Sequence, residues 1–500
     1  MDGPPDRGSR QKALRPLDTD PKTRITRSGS FHVRRVPGRA GGRVYEPESQ
    51  PASLSPVTPK ELPLKPPFAL RGRILTPLDD GGTRHEPDGL LAVDDGGRIA
   101  FAGPAGERPD EATKAVDLRP WILLPGMVDL HAHLPQLPNA GLGAGLDLLT
   151  WLDRYIFPLE RAFDEAAADR LAPAAWRAFA AAGTTTALVY GAVYEASTDA
   201  TFRAAEAHGI RAIVGKVMMD RGTYDPIIDP RDILEQSLAQ SSRLIDKWHG
   251  ADDGRLRYAV TPRFAISCTA DLLRESAALA AATGAYWQTH VSEDRGEIAE
   301  VARLFPEALD YVDVYDRAGG LGARTILAHA VHLSDRELAR LVETGTRVAH
   351  CPVSNLFLAS GMMPLGRYVD AGLSLGLGSD VAGGQDLSIF TAMRTGFYVQ
   401  NARRVAGVEV GRVLAPLDWL RLGSIGGAQA LGLGDIVGSL EVGKEADVIA
   451  VDPAFTAPVP GTEDDDPADI ASRLIFRSHP DMVRAAWVRG RRLEGPGGRA

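Results

Sequence analysis

The chain has 500 residues, room for several domains at about 150 residues each, and its 44% hydrophobic and 24% charged content excludes a wholly disordered or fibrous protein. The net charge of -9 at pH 7 gives no sign of a nucleic-acid coat or a broadly basic binding face. Two cysteines, Cys268 and Cys351, cannot build a disulfide framework, no apolar run reaches the ~18–20 residues of a membrane span, and the first 30 residues lack an apolar signal segment, so a soluble cytoplasmic protein is expected.

Residues 1–65 stand apart. They hold 13 Lys/Arg, 7 Asp/Glu, 10 Pro and 6 Gly, with sparse apolar residues at neither strand nor helix spacing. Such a segment cannot bury enough apolar area to offset its ordering entropy, and a disordered basic tail is expected. From Phe68 the pattern becomes β-type: Ala69–Leu75, Gly89–Val93 and Ile99–Gly103, with a turn at Asp94–Asp95–Gly96–Gly97. The C-terminal segments Asp447–Val451 and Met482–Arg489 read the same way. One small β domain built from both chain ends, 66–124 plus 439–496, follows from this pattern.

The middle, 125–438, alternates short apolar strands with Ala-, Leu- and Arg-rich helical stretches such as Arg161–Ala182. Eight strands are expected: Met127–His133, Thr184–Tyr190, Ile210–Val217, Leu256–Thr261, Ala285–His290, Thr325–His329, Thr346–His350 and Leu373–Ser379. Eight βα units over this length match a (β/α)8 TIM-type barrel of the α/β class. A doubly wound sheet is the runner-up. It would want a Gly-rich phosphate turn after its first strand, where this chain has His131-Ala132-His133.

A barrel carries its chemistry at the C-terminal ends of its strands. Five of the 11 histidines end predicted strands here: His131, His133, His290, His329 and His350. Alternate strand residues face one side, so His131 and His133 can both point into the barrel mouth. With His290 and the carboxylate of Asp380 they form an N3O donor set that suits Zn2+, with Fe2+ second. Such a site lowers the pKa of water toward ~7. Asp380 reads as ligand and proton acceptor together. Glu293, three residues past His290, reads as a proton shuttle between water and leaving group. Each residue also has a plainer reading. Asp380 alone could cap a helix, Glu293 could be a surface carboxylate, and His329, His332 and His350 taken singly are structural or loop histidines. The combination in barrel order favours the metal.

Pro125-Gly126-x-x-Asp129-x-His131-x-His133 and Gly378-Ser379-Asp380 resemble the amidohydrolase superfamily, a family of metal-dependent hydrolases. Within it the chain is similar to the guanine deaminases over about 68–495. The resemblance is carried by His131-Ala-His133-x-x-Gln136, Trp151-Leu152-x-x-Tyr155-x-Phe157-Pro158, Gly215-Lys216-Val217-x-Met219-Asp220, Thr261-Pro-Arg263-Phe264, His290-Val-Ser-Glu293, Ala349-His350-Cys351-Pro352-x-Ser354-Asn355 and Asp380-Val-Ala-Gly383-Gly384. It implies a barrel with a composite β-sandwich, one zinc ion, a purine substrate and a homodimer. By the same resemblance, His131, His133, His290 and Asp380 hold the ion and His329 lies beside the metal-bound water. Glu293 shuttles the proton, and Gln136, Arg263 and Phe264 contact the base. The implied reaction is hydrolytic deamination at C2 of guanine, giving xanthine and ammonia. The family's usual Asn is Val353 here, which bears on the pocket wall near strand seven, and residues 1–65 have no family counterpart.

Two rivals stay open. One is a relative acting on another amino-heterocycle, of s-triazine, pterin, 8-oxopurine or cytosine type. The other is a barrel kept as a non-catalytic scaffold, which would be expected to lose a ligand or the shuttle carboxylate. The second zinc deaminase design needs Pro-Cys-x-x-Cys, a motif this chain lacks.

Overall fold

The computed structural model describes residues 62–222, 230–408, 411–459 and 465–496. The expected tail therefore lies almost wholly outside the described residues. Its last four residues do not. Leu62 is buried in the core of the β sheet. Trp487 Nε1 donates to Pro63 O at 3.0 Å, and Arg492 N donates to Leu64 O at 3.0 Å. The boundary drawn at 65 is thus corrected upstream, because a leucine too isolated to show a period still packs once the last strands arrive.

Sixteen strands are described. β1 (Phe68–Pro77), β2 (Thr83–Val93), β3 (Ile99–Pro104) and β4 (Val116–Pro125) come from the N-terminal part. β5 (Met127–His133), β6 (Thr184–Tyr190), β7 (Arg211–Gly215), β8 (Val217–Met218) and β9 (Leu256–Pro262) follow. Next come β10 (Tyr286–Val291), β11 (Thr325–His329), β12 (Arg347–His350) and β13 (Leu375–Leu377). β14 (Val448–Val451), β15 (Val483–Val488) and β16 (Arg491–Arg492) end the chain.

The terminal strands form one seven-stranded sheet in the order β16-β15-β14-β4-β1-β2-β3, so both chain ends share it. β4 sits inside this sheet despite Pro120, a residue that normally demotes a strand. The ladder with β1 shifts register between Arg71–Asp117 and Arg73–Ile122, and Pro120 lies within that bulge, where no ladder N–H is required.

β5 to β13 make a nearly closed parallel barrel. β7 and β8 are one barrel strand broken at Lys216, whose N–H turns to the Tyr258 hydroxyl at 3.3 Å. The longer helices cover the outside, among them Glu165–Ala181, Ala270–Thr283 and Asp335–Thr344. The first buries Ala168, Ala172, Ala175, Trp176 and Phe179, the 3–4 spacing of one helix face, and Asp164 caps its start by accepting from Ala167 N at 2.8 Å. No helix among the described residues is long and apolar enough to cross a membrane.

The last barrel strand is only three residues long, and closure is completed just beyond it. Asp380 N donates to His131 O at 2.8 Å and His133 N donates to Val381 O at 3.0 Å. Asp129 Oδ1 accepts from His131 N at 3.1 Å and from Ser379 N at 3.0 Å. The seam that closes the barrel is therefore built from the residues expected to do chemistry.

Candidate active site

The strand ends bring four expected ligands to one point. Ring Nε2 of His133 lies 3.2 Å from Nε2 of both His131 and His290. Asp380 Oδ1 lies 3.2 Å from His131 Nε2 and 3.5 Å from His133 Nε2. All four side chains are buried or nearly so. The His290 ring is oriented by its own neighbour: Nδ1 donates to Arg263 O at 2.6 Å, which leaves Nε2 a free lone pair turned toward the others. Burial lowers the pKa of His131, His133 and His290, which favours the neutral form that a cation ligand needs. Burial by itself would raise Asp380, but the imidazoles of His131 and His329 outweigh it and bring it to about 2. Two groups of candidate ligand atoms share His131, one with His133 and His290 and the other with His329 and Asp380, the atoms of each group lying within 4.8 Å of one another. Nitrogens with a carboxylate oxygen fit a divalent cation.

Two further side chains face this cluster. Glu293 is fully buried, and burial together with Asp380 pushes its carboxyl up to about 8. Ser360 Oγ donates to Glu293 Oε1 at 2.9 Å. His329 Nδ1 meets Asn355 Oδ1 at 2.9 Å, and its Nε2 faces Glu293 Oε2 at 3.4 Å and Asp380 Oδ2 at 3.8 Å. His329 thus links the two carboxylates, a relation its reading as a lone structural histidine did not contain. The backbone bends sharply here: Ser292, His329, Ala330 and Asp380 all have positive φ, a strained choice for residues with a Cβ. His350 is buried with its pKa lowered to about 3 by burial and His329. His332 Nε2 donates to Ser360 O at 2.8 Å, outside the cluster.

A tight pocket opens onto the cluster, lined by Gln136, Trp151, Arg263, Phe264, Glu293 and Leu358 among others. Gln136 lies in the turn just after β5 and Arg263 just after β9. Glu160 joins them: Gln136 Nε2 donates to Oε1 at 2.7 Å, and Arg263 Nη1 donates to Oε2. Arg263 also stacks over the Phe157 ring, 5.0 Å from its centroid. Phe264 packs edge-on against His290, with centroids 6.4 Å apart. Sequence reasoning missed Glu160. It follows Phe157-Pro158 by two residues on a short helical turn, where a carboxylate ordinarily faces water; its burial is the signal, and burial was not visible. Val353 packs in the main hydrophobic core and is not among the cavity's lining residues. The departure at 353 therefore bears on helix packing and not on the pocket wall.

Comparison with known proteins agrees with this architecture. The amidohydrolase family model matches residues 122–493. A probable guanine deaminase of Deinococcus radiodurans is 38% identical over 81% of this chain and 92% of its own length. The solved guanine deaminase of E. coli superposes with a TM-score of 0.79 at 32% identity, covering 85% of this chain and 99% of that one. A guanine deaminase from C. acetobutylicum, solved with guanine bound in its active site, gives 0.77 at 28% identity over 85% and 99%.

Proposed function

Because the chain belongs to the amidohydrolase family and within it to the guanine deaminases, we propose that it hydrolyses guanine to xanthine and ammonia at a site holding one zinc ion. The observation that carries the reading is the convergence of His131, His133, His290 and Asp380 beside the buried Glu293, whose pKa is pushed up to about 8. Those four residues would hold the ion. When bound, it supplies a Lewis acid that makes hydroxide available near neutral pH.

The remaining chemistry belongs to side chains. Gln136 and Arg263 hold the polar edge of the purine, and Phe264 flanks its ring. Glu160 is a positioning residue: it pins both the Gln136 amide and the Arg263 fork, so their donors are aimed before the base arrives. As water oxygen adds to C2, Asp380 takes its proton and Glu293 gives a proton to the ring nitrogen. C2 becomes tetrahedral, Asp380 passes its proton to the amino nitrogen, the exocyclic C–N bond breaks and ammonia leaves, and the C2 hydroxyl returns a proton to Glu293 as the carbonyl forms. His329 holds the two carboxylates in register around the water. A homodimer belongs to the same reading, on the strength of the family resemblance.

The test is turnover of a panel of amino-heterocycles by the zinc-loaded enzyme. Guanine should be consumed fastest, with xanthine and ammonia in equal amounts. Fast turnover of a triazine, pterin, 8-oxopurine or cytosine with guanine untouched would overturn the substrate assignment.

A further inference from the structure

We propose that the barrel carries a second ligand site at its opposite mouth: an oxyanion pocket built by Arg257, Arg324 and Arg347 that takes a phosphate group. β9, β10, β11 and β12 are neighbours in the barrel. Arg257 is the second residue of β9, Tyr286 opens β10, Arg324 immediately precedes β11, and Arg347 opens β12. Their registers, with Tyr286 beside Ala259 and Ile326 beside Arg347, bring the four to one edge of the sheet. That edge is the N-terminal one, away from the chemistry. The three arginines, Tyr286 and His249 line a cavity of about 480 Å³, and no Asp or Glu among the described residues lines it.

The charge has no counter-charge. Arg257 Nε donates to Gly254 O at 3.0 Å and Arg324 Nη1 to Gly284 O at 2.8 Å. Arg347 Nη1 donates to Ala323 O and, at 3.1 Å, to Ala430 O. Every one of these acceptors is a neutral carbonyl. None of the three has a carboxylate partner among the described residues, unlike the buried Arg211 and Arg263, which are paired with Glu445 and Asp447 and with Glu160. A guanidinium has five N–H donors, so most remain available. Arg347 Nε is itself buried with no partner. The Tyr286 hydroxyl gives no negative charge, because it donates to Leu431 O at 2.6 Å.

Some of these bonds cap helix ends: Gly284 follows Ala270–Thr283, and Ala430 ends Gly427–Ala430. Capping explains one donor on each arginine. It does not explain why three cations converge on one cavity, where their repulsion is left unscreened by any side chain. The backbone makes room for the cluster as well. Gly284 has φ +71°, and a Cβ there would lie 2.6 Å from Arg324 Nη1. Guanidinium forks match tetrahedral oxyanions two bonds at a time, which selects phosphate over chloride. The cavity exceeds one phosphate, so the group can be free or carried on a larger molecule.

The experiment titrates the zinc-loaded enzyme with sodium phosphate at constant ionic strength, chloride making up the balance, by calorimetry and thermal midpoint. A pyrimidine nucleoside monophosphate is titrated in parallel, since it lacks the purine that the reaction site takes. Phosphate should bind saturably, one per chain, and raise the midpoint. Arg324→Gln, an exposed change that leaves the core alone, should weaken binding about tenfold, the loss of one charge-assisted contact, with guanine turnover intact. Arg257→Met/Arg347→Met should abolish it. Tighter binding of the nucleotide identifies a phosphate on a larger molecule, and equal binding identifies free phosphate. Heats matching chloride alone, or phosphate binding undiminished in Arg324→Gln, would overturn the proposal. Either failure would leave the guanine assay unaffected.

Discussion

Glu293 and Asp380 are two fully buried carboxylates with opposite net outcomes. Asp380 sits among imidazoles and stays ionised, while Glu293 faces Asp380 and keeps a proton at neutral pH. Replacing each polar residue of the site should separate their roles. Glu293→Gln should retain zinc and lose turnover by about 10²-fold or more, with KM little changed, because a proton donor is removed while the ligands stay. Glu160→Gln should instead raise KM with zinc intact, because Gln136 and Arg263 lose their shared anchor. Steady-state kinetics with metal analysis reads both, and equal losses in kcat and KM for the two variants would contradict the division. Lys216 offers a test by pH. Burial pushes its ammonium down to about 7, against a weaker pull from Glu195. Unfolded, it titrates near ~10.4. Below pH 7 both states hold the proton and the fold bears the full cost of a buried charge. As pH rises through 7 the folded state sheds that cost first, so the penalty shrinks toward pH 10. Lys216→Met should therefore gain more stability over the parent near pH 7 than near pH 9.5, read from urea midpoints; a pH-independent gain would refute it.

Among elements, the barrel seam is the one on which the site depends. β13 is too short to pair along β5, and Asp129 clasps the two sides through His131 N and Ser379 N. Asp129→Ala would leave two buried N–H groups without their acceptor, at a cost of about 2–4 kcal/mol. It should also lose zinc, since His131 and Asp380 flank the clasp. Asp129→Asn keeps an acceptor oxygen and should lose less of both. Thermal midpoint and bound zinc measure this, and full zinc in the alanine variant would show that the clasp does not hold the ligands. The strands β5, β6 and β11 coincide with their expected spans, and every residue of each is buried. β4 was not legible, since its prolines argue against a strand and its register shift cannot be seen without a partner. The break between β7 and β8 depends in the same way on Tyr258, 42 residues downstream.

At the scale of the molecule, the β sheet and barrel are joined by a buried ion cluster. Arg211 of β7 is held by Glu445 at 2.5 Å and Asp447 at 3.1 Å, just before β14. The N-terminal edge of the body can be located by truncation. A chain beginning at 62 should match the full chain in turnover and midpoint. One beginning at 66 should melt lower, because it loses Leu62, worth about 1.5–3 kcal/mol, and the carbonyls that Trp487 and Arg492 use. Equal midpoints would show that residues 62–65 contribute nothing. Periodicity and strand-end histidines were readable from the chain alone, because each depends on neighbours a few residues apart: the eight-strand alternation and the His-x-His pair follow from local spacing. Glu160, the Asp129 clasp, the Arg211 cluster and the arginine pocket were not readable. Each is a meeting of residues far apart in the chain, and whether a charge at such a position is solvated, paired or left without a partner is set by burial, which exists only after the strands have closed on one another.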